Sequence, residues 1–199
     1  MKHSVVRLFD YSIISLALCA TGCFNEPEPA YKTVPAANRV YLQEKGLKTV
    51  PQVVATADYL NLDRNQLESA AGVEKLSELK WLRLNENKLT SLPDLSALKN
   101  LRRIYLRDNR LTAVPETLKD LPALTDIELS GNPIKTVPNW LAEKRGLENV
   151  SLNRTQITAL PEDLSAWKGL KSLQLGELDL PAAEMARIRA ALPDVAIVF

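Results

Sequence analysis

LKWLRLNENKLTSLPDL, residues 79–95, carries a pattern that recurs down most of the chain. Aligned on the first apolar residue of each core, the copies begin at Val40, Leu60, Leu82, Ile104, Ile127, Val150 and Leu173, at spacings of 20, 22, 22, 23, 23 and 23 residues. A period in that range marks stacked structural units. The best copies read apolar-x-apolar-x-x-N-x-apolar: LNLDRNQL from Leu60, LRLNENKL from Leu82, IYLRDNRL from Ile104 and IELSGNPI from Ile127.

The apolar-x-apolar core alternates with period two, so its two apolar residues face one way and the residue between them faces the other. That is a very short strand. One unit cannot bury its apolar face, but stacked units let Leu84, Leu106 and Leu129 bury one another, each worth about 1.5 to 3 kcal/mol. The Asn that follows is polar between apolar positions, and its burial is costly unless both halves of its amide find partners. A column at Asn65, Asn87, Asn109 and Asn132 can satisfy turn backbone groups of adjacent repeats.

This pattern, from about residue 37 to the C-terminus, resembles the leucine-rich repeat family. The resemblance implies an α/β solenoid: a curved parallel β-sheet with short helical or irregular convex segments. It also implies that the four Asn form a hydrogen-bonded ladder. Lys45, Thr155 and Leu178 stand at the equivalent place and break the column, which predicts looser coils at both ends.

The return segments open on an apolar-Pro pair in most copies: Val50-Pro51, Leu92-Pro93, Val114-Pro115, Val137-Pro138 and Leu160-Pro161. Proline fixes its own φ and disfavours helix in the residue before it, which suits a corner. Beyond it, apolar residues recur every three, as in Leu95, Leu98, Leu101, which suits single turns of helix. The last copy departs. Residues 182–192 read as an amphipathic helix with Met185, Ile188 and Leu192 on one face, and Val195 to Phe199 as a final strand 22 residues after Leu173. Together they supply the terminal cap that open stacks need.

The N-terminus differs in kind. Lys2 and Arg7 precede a short apolar run, YSIISLALCA, and then small residues ahead of Cys23. A run of ten is too short for a permanent span, which needs about 20 residues, and reads as a signal peptide. The A-T-G-C ending resembles the lipobox of bacterial lipoproteins, which implies cleavage before Cys23 and acylation of that Cys, palmitate among its chains. The expected organisation is a lipoprotein signal peptide over 1–22, a lipid-anchored Pro-containing tether over 23–36 and the repeat domain over 37–199. The expected location is the bacterial cell envelope, at the outer membrane if the cell is Gram-negative, since Phe24 rather than Asp follows the Cys. The alternative is a secreted protein cut after Ala20.

Removing residues 1–22 takes Lys2, Arg7 and Asp10 from totals of 25 basic and 24 acidic residues and leaves 23 of each. Such balance argues against a strongly salt-dependent hold on nucleic acid or anionic lipid. His3, the single His, is removed as well. With no His and only the acylated Cys, triads built on His, and transition-metal clusters, have no residues to use. No cofactor or metal is expected, and Asp126 with Glu128 reads as a solvated pair.

Residues flanking and separating the buried strand positions form three columns on the sheet. They run Arg39, Tyr59, Trp81, Arg103, Asp126, Asn149, Ser172; then Tyr41, Asn61, Arg83, Tyr105, Glu128, Ser151, Gln174; then Gln43, Asp63, Asn85, Arg107, Ser130, Asn153, Gly176. Tyr, Trp and Arg are enriched at interface hot spots. The candidate partner-binding set is therefore Tyr41, Tyr59, Trp81, Arg83, Arg103, Tyr105 and Arg107. Its arginines suit a partner's carboxylates, so the partner is another protein with an acidic or mixed surface, bound by a monomer. The rivals are an envelope scaffold without a discrete ligand and, less favoured, a carboxylate-dependent envelope hydrolase.

Overall fold

The computed structural model describes residues 38–53 and 55–199. The signal peptide, Cys23 and the tether lie outside them.

The described chain forms one open sheet of eight parallel strands in sequence order. They are β1 Arg39–Tyr41, β2 Tyr59–Asn61, β3 Trp81–Arg83, β4 Arg103–Tyr105, β5 Asp126–Glu128, β6 Asn149–Ser151, β7 Ser172–Gln174 and β8 Ala196–Val198. The register from Val40 through Leu60, Leu82, Ile104, Ile127 and Val150 to Leu173 is the one the period predicts. The last strand is a correction. Leu173 pairs with Ile197, not Val195, because the helix ahead of β8 and the turn after it take up two more residues.

Alternation explains what is buried. The inward residues of β2 to β7 and their partners two further on, Leu62, Leu84, Leu106, Leu129, Leu152 and Leu175, are essentially inaccessible. Leu67, Leu89, Leu111, Ile134 and Ile157 continue the same core beyond the Asn position. At the first coil Val40, Leu42, Leu47 and Val50 are only partly covered.

Opposite the sheet, the return segments are short helical turns: Val73–Lys75, Glu116–Leu118, α1 (Asn139–Glu143), Ser165–Gly169 and α2 (Ala182–Ala191). Pro115, Pro138 and Pro181 sit directly ahead of three of them with extended backbone, turning the chain into the helix without needing an N–H there. Ile188 and Leu192 seal the core beneath α2, with Met185 partly covered. Arg187 clamps α2 to the preceding return segment by donating to the carbonyls of Leu160, Pro161 and Glu162. No helix among the described residues is long and apolar enough to cross a membrane.

Candidate functional site

Two polar ladders tie successive coils together beside the sheet face. The first is the Asn column. Asn109 Nδ2 donates to Leu84 O and Leu106 O, both at 2.9 Å, and its Oδ1 accepts from Leu89 N at 3.0 Å. Asn87 and Asn132 repeat the arrangement one coil to either side, and Asn65 accepts from both Lys45 N and Leu47 N. Each amide thus ties a turn to the turn before it. Thr155 reaches only Leu152 O, within its own coil.

The second ladder was not anticipated. Asp63, Asn85, Ser130 and, in the central column, Asn61 and Ser151 are buried, although alternation alone puts them in solvent. Asp63 Oδ1 accepts from Asn85 N, Asn85 Oδ1 from Arg107 N, and Asn153 Oδ1 from Gly176 N. Where the preceding coil offers no short acceptor, at Gln43 and Arg107, the residue two back supplies it: Asn61 to Asp63 N, and Glu128 to Ser130 N. Its cause is local. Just past the strand the backbone bends, and the next residue takes φ between +53 and +68° in every coil: Glu44, Arg64, Glu86, Asp108, Gly131, Arg154 and Glu177, all but one of the seven non-glycine. This conformation costs a non-glycine residue about 1 to 2 kcal/mol. It is held from Glu44 to Arg154 by its own N–H bonding to the next coil, as from Arg64 N to Asn85 O at 2.9 Å.

These left-handed residues also carry a line of charge along the turns. Arg64 pairs with Glu44 at 2.7 Å and with Glu86 at 3.3 Å, and Arg107 joins Glu86 at 2.8 Å to Asp108 at 3.4 Å. Gly131 has no side chain, and Arg154 reaches past it to Asp108 at 3.1 Å.

On this frame the aromatic residues form one continuous ladder. Ring centroids lie 5.2 Å apart from Tyr41 to Tyr59, 5.2 Å from Tyr59 to Trp81, edge to face, and 5.8 Å from Trp81 to Tyr105. Arginines cover the rings: Arg103 over Trp81 at 5.0 Å, Arg83 over Tyr105 at 5.5 Å and Arg39 over Tyr59 at 6.0 Å. The carboxylates then hold the guanidinium groups. Arg83 Nε donates to Asp63 at 2.7 Å and Arg103 faces Asp126 at 3.7 Å.

The structure thus brings six of the seven candidate residues together with unequal access, while Arg107 pairs with Glu86 and Asp108 along the turns. Tyr41 is 48% exposed, while Tyr59 is only 5% exposed and braces its neighbours. The Arg83 side chain keeps 35% exposure and Arg103 24%, so both present an edge to solvent. Burial pushes the Tyr105 phenol up to about 12, assisted by the Asp126 carboxylate and opposed by Arg103 and Arg83, so it stays a neutral donor. Burial likewise raises the Asp63 carboxyl despite Arg83.

From β5 onward the face changes character. Asp126 and Glu128 are its charged residues there, with no basic residue in the three columns of β5 to β7. Asn149 Nδ2 donates to Asp126 at 2.7 Å, and the hydroxyls of Ser130 and Ser151 bond at 2.7 Å. Glu128 is not the solvated carboxylate that the sequence suggested: burial raises its pKa, against hydrogen bonds from Ser130 and Ser151 and the charge of Arg107. No group of three or more His, Cys, Asp or Glu among the described residues could hold a metal ion.

Stacked short strands, an Asn ladder and a polar sheet face define a leucine-rich repeat fold. A leucine-rich repeat family profile matches residues 77–134. Among solved structures, an internalin of Listeria monocytogenes is similar at 23% identity and TM-score 0.62, over 73% of this chain and 43% of its own. A TDR receptor is similar at 21% identity and TM-score 0.61, over 73% and 26%. A leucine-rich repeat protein of Leptospira interrogans aligns at 26% identity and TM-score 0.41, over 76% and 58%. The chain thus spans less than half the length of the first two. No curated protein matches it in sequence. Leucine-rich repeat domains generally mediate protein–protein contacts and are typically non-enzymatic.

Proposed function

We propose that this chain is a non-enzymatic protein-binding module, anchored by lipid at Cys23 to a bacterial membrane, with its partner held on the sheet face at β1 to β4. The observation that carries the reading is the aromatic ladder. Four rings and three arginines share one face, ending in the half-exposed Tyr41. Since arginines lie over Tyr59, Trp81 and Tyr105, those ring faces are closed to a sugar, and the accessible guanidinium edges favour a protein partner's carboxylates.

One observation favours the scaffold reading. Arg83 and Arg103 are already paired with Asp63 and Asp126, as expected of a face built for stiffness. Crosslinking on intact cells separates the two. Alanine at Trp81 or Arg83 should weaken capture of a defined partner by about 2 kcal/mol or more, and alanine at Ser151 or Gln174 by much less. Equal effects from both halves, or no discrete crosslinked partner, would refute the binding reading.

A further inference from the structure

β8 is the last strand of the described sheet, and its outer edge is bare. Leu175 N donates to Val198 O at 2.7 Å, so Ala196 and Val198 turn their backbone groups toward β7. Successive residues of a strand alternate, so the N–H and C=O of Ile197 point away from the sheet, with no strand beside them among the described residues. Soluble folds shield such an edge with charge, proline or a bulge. β1, at the other end of the sheet, carries Arg39. Residues 195–199, VAIVF, carry no charge and no proline.

The coil around this edge is open as well. On α2, Ile188 faces the core and Arg187, one position earlier, reaches back to the preceding coil at Leu160 and Pro161. At about 100° per residue Arg189 lies on the opposite flank, toward the open end, where its guanidinium stands 4.9 Å from the centre of the Phe199 ring. Leu178, Met185, Ile197 and Phe199 are only partly covered, and Val198 is 48% exposed.

We infer that β8 pairs with β8 of a second copy of this chain, antiparallel, about a two-fold axis through Ile197. A strand whose outward backbone groups belong to Ile197 is self-complementary there, because the two copies exchange both N–H···O=C bonds. Phe199 then lies opposite Val195 of the second copy on the core side, and Val198 opposite its Ala196 on the sheet face. Charge complementarity favours a second copy. Arg189, held over Phe199, comes beside Asp194 of the second copy, the residue next to Val195, and the axis makes that pair twice. Arg189 and Asp194 are exposed, and neither is in an ion pair among the described residues. A joint of one short strand and a few apolar side chains falls below the usual interface of about 800 Å² per partner, which sets self-association on the order of micromolar. The paired chains carry one continuous sheet with an aromatic ladder at each far end, in place of the monomer expected from sequence.

Sedimentation velocity of the full chain, at concentrations across the micromolar range, reads the association. The native chain should form a dimer and stop there. Asp194→Arg should weaken the dimer about tenfold by setting guanidinium against guanidinium at both contacts, and Arg189→Asp should do the same with carboxylates. Mixed in equal amounts, these two variants should recover association as a heterodimer, because both contacts then join opposite charges. Val198→Lys, which places a charge on the bare edge, should also weaken the dimer about tenfold. Far-UV circular dichroism checks the fold of each variant. A chain that stays monomeric, oligomers that grow beyond two, a dimer indifferent to all three substitutions, or charge variants that fail to recover on mixing would each overturn the inference.

Discussion

Replacing Asn109 and Asn132 by leucine in turn tests the Asn ladder at the level of single bonds. Asn109 is buried and makes hydrogen bonds to two coils. Its removal does not orphan every partner, because the carbonyls are shared. Leu84 O also accepts from Asn87 Nδ2 at 3.1 Å, and Leu106 O also accepts from Asn132 Nδ2 at 2.9 Å. Leu89 N has only Asn109 Oδ1 among the described residues. Asn109→Leu therefore strands one buried donor, at about 1 to 3 kcal/mol. Asn132 stands where the ladder stops. Its loss strands Leu111 N and also Leu129 O, whose donor from the next coil is missing because Thr155 bonds only Leu152 O.

Asn132→Leu should therefore cost roughly twice as much as Asn109→Leu, about 2 to 6 kcal/mol. Equilibrium urea unfolding followed by far-UV circular dichroism reads the difference, provided the slope is unchanged, since stacked repeats can lose cooperativity. A neutral Asn109→Leu, or a costlier Asn109→Leu than Asn132→Leu, would show that shared carbonyls do not govern the ladder.

Further outcomes follow from the same geometry. Gly131→Ala should destabilise by about 1 to 2 kcal/mol through its left-handed backbone alone, and more because the added methyl meets the Asp108 carboxylate; a neutral thermal melt would contradict this. Glu128 has a raised pKa in the fold, so the folded state holds its proton more tightly than the unfolded chain does. Stability from this group is present below its ordinary value of 4.5 and is lost as pH rises through the folded value. Glu128→Gln should then raise stability at pH 7 and make no difference at pH 3, and urea midpoints at the two pH values decide it. Cys23→Ser should release the protein from the membrane fraction or leave the precursor uncut, and unchanged fractionation would exclude lipid anchoring at that residue. Thr155→Asn should raise the urea midpoint by extending the ladder to Leu129 O, whereas a lowered midpoint would mean that the last coils cannot accept the amide.

The strands and their register were legible because a period of 20 to 23 residues with period-two cores has one packing solution, and Val40 to Leu173 fell into it. The final strand is offset by two residues because Val195, Ile197 and Phe199 all lie on the covered side, and nothing in VAIVF tells which of them opposes Leu173. Membership of the aromatic ladder was legible too, since column order follows from register. Its accessibility was not. Alternation reports which way a side chain leaves the backbone, and it is silent on what folds over that side chain afterwards. Tyr59 and Trp81 are the case in point: each leaves the sheet toward solvent and is then covered by an arginine from an adjacent coil.

The second polar ladder has a signal in the sequence. Asp63, Asn85 and Asn153 occupy one position in their coils, and all three carry a short acceptor, the chemistry an unpaired N–H in the next coil requires. Reading that column as solvent-facing also concealed why residue 128 carries a long acceptor. Arg107 cannot accept from Ser130 N, so the acceptor must come from within the coil, and a longer side chain two residues back can reach it. The charge of Glu128 and the integrity of the turn thus meet in one side chain. A substitution that alters one without the other must keep the carbonyl oxygen and remove only the charge, as Glu128→Gln does.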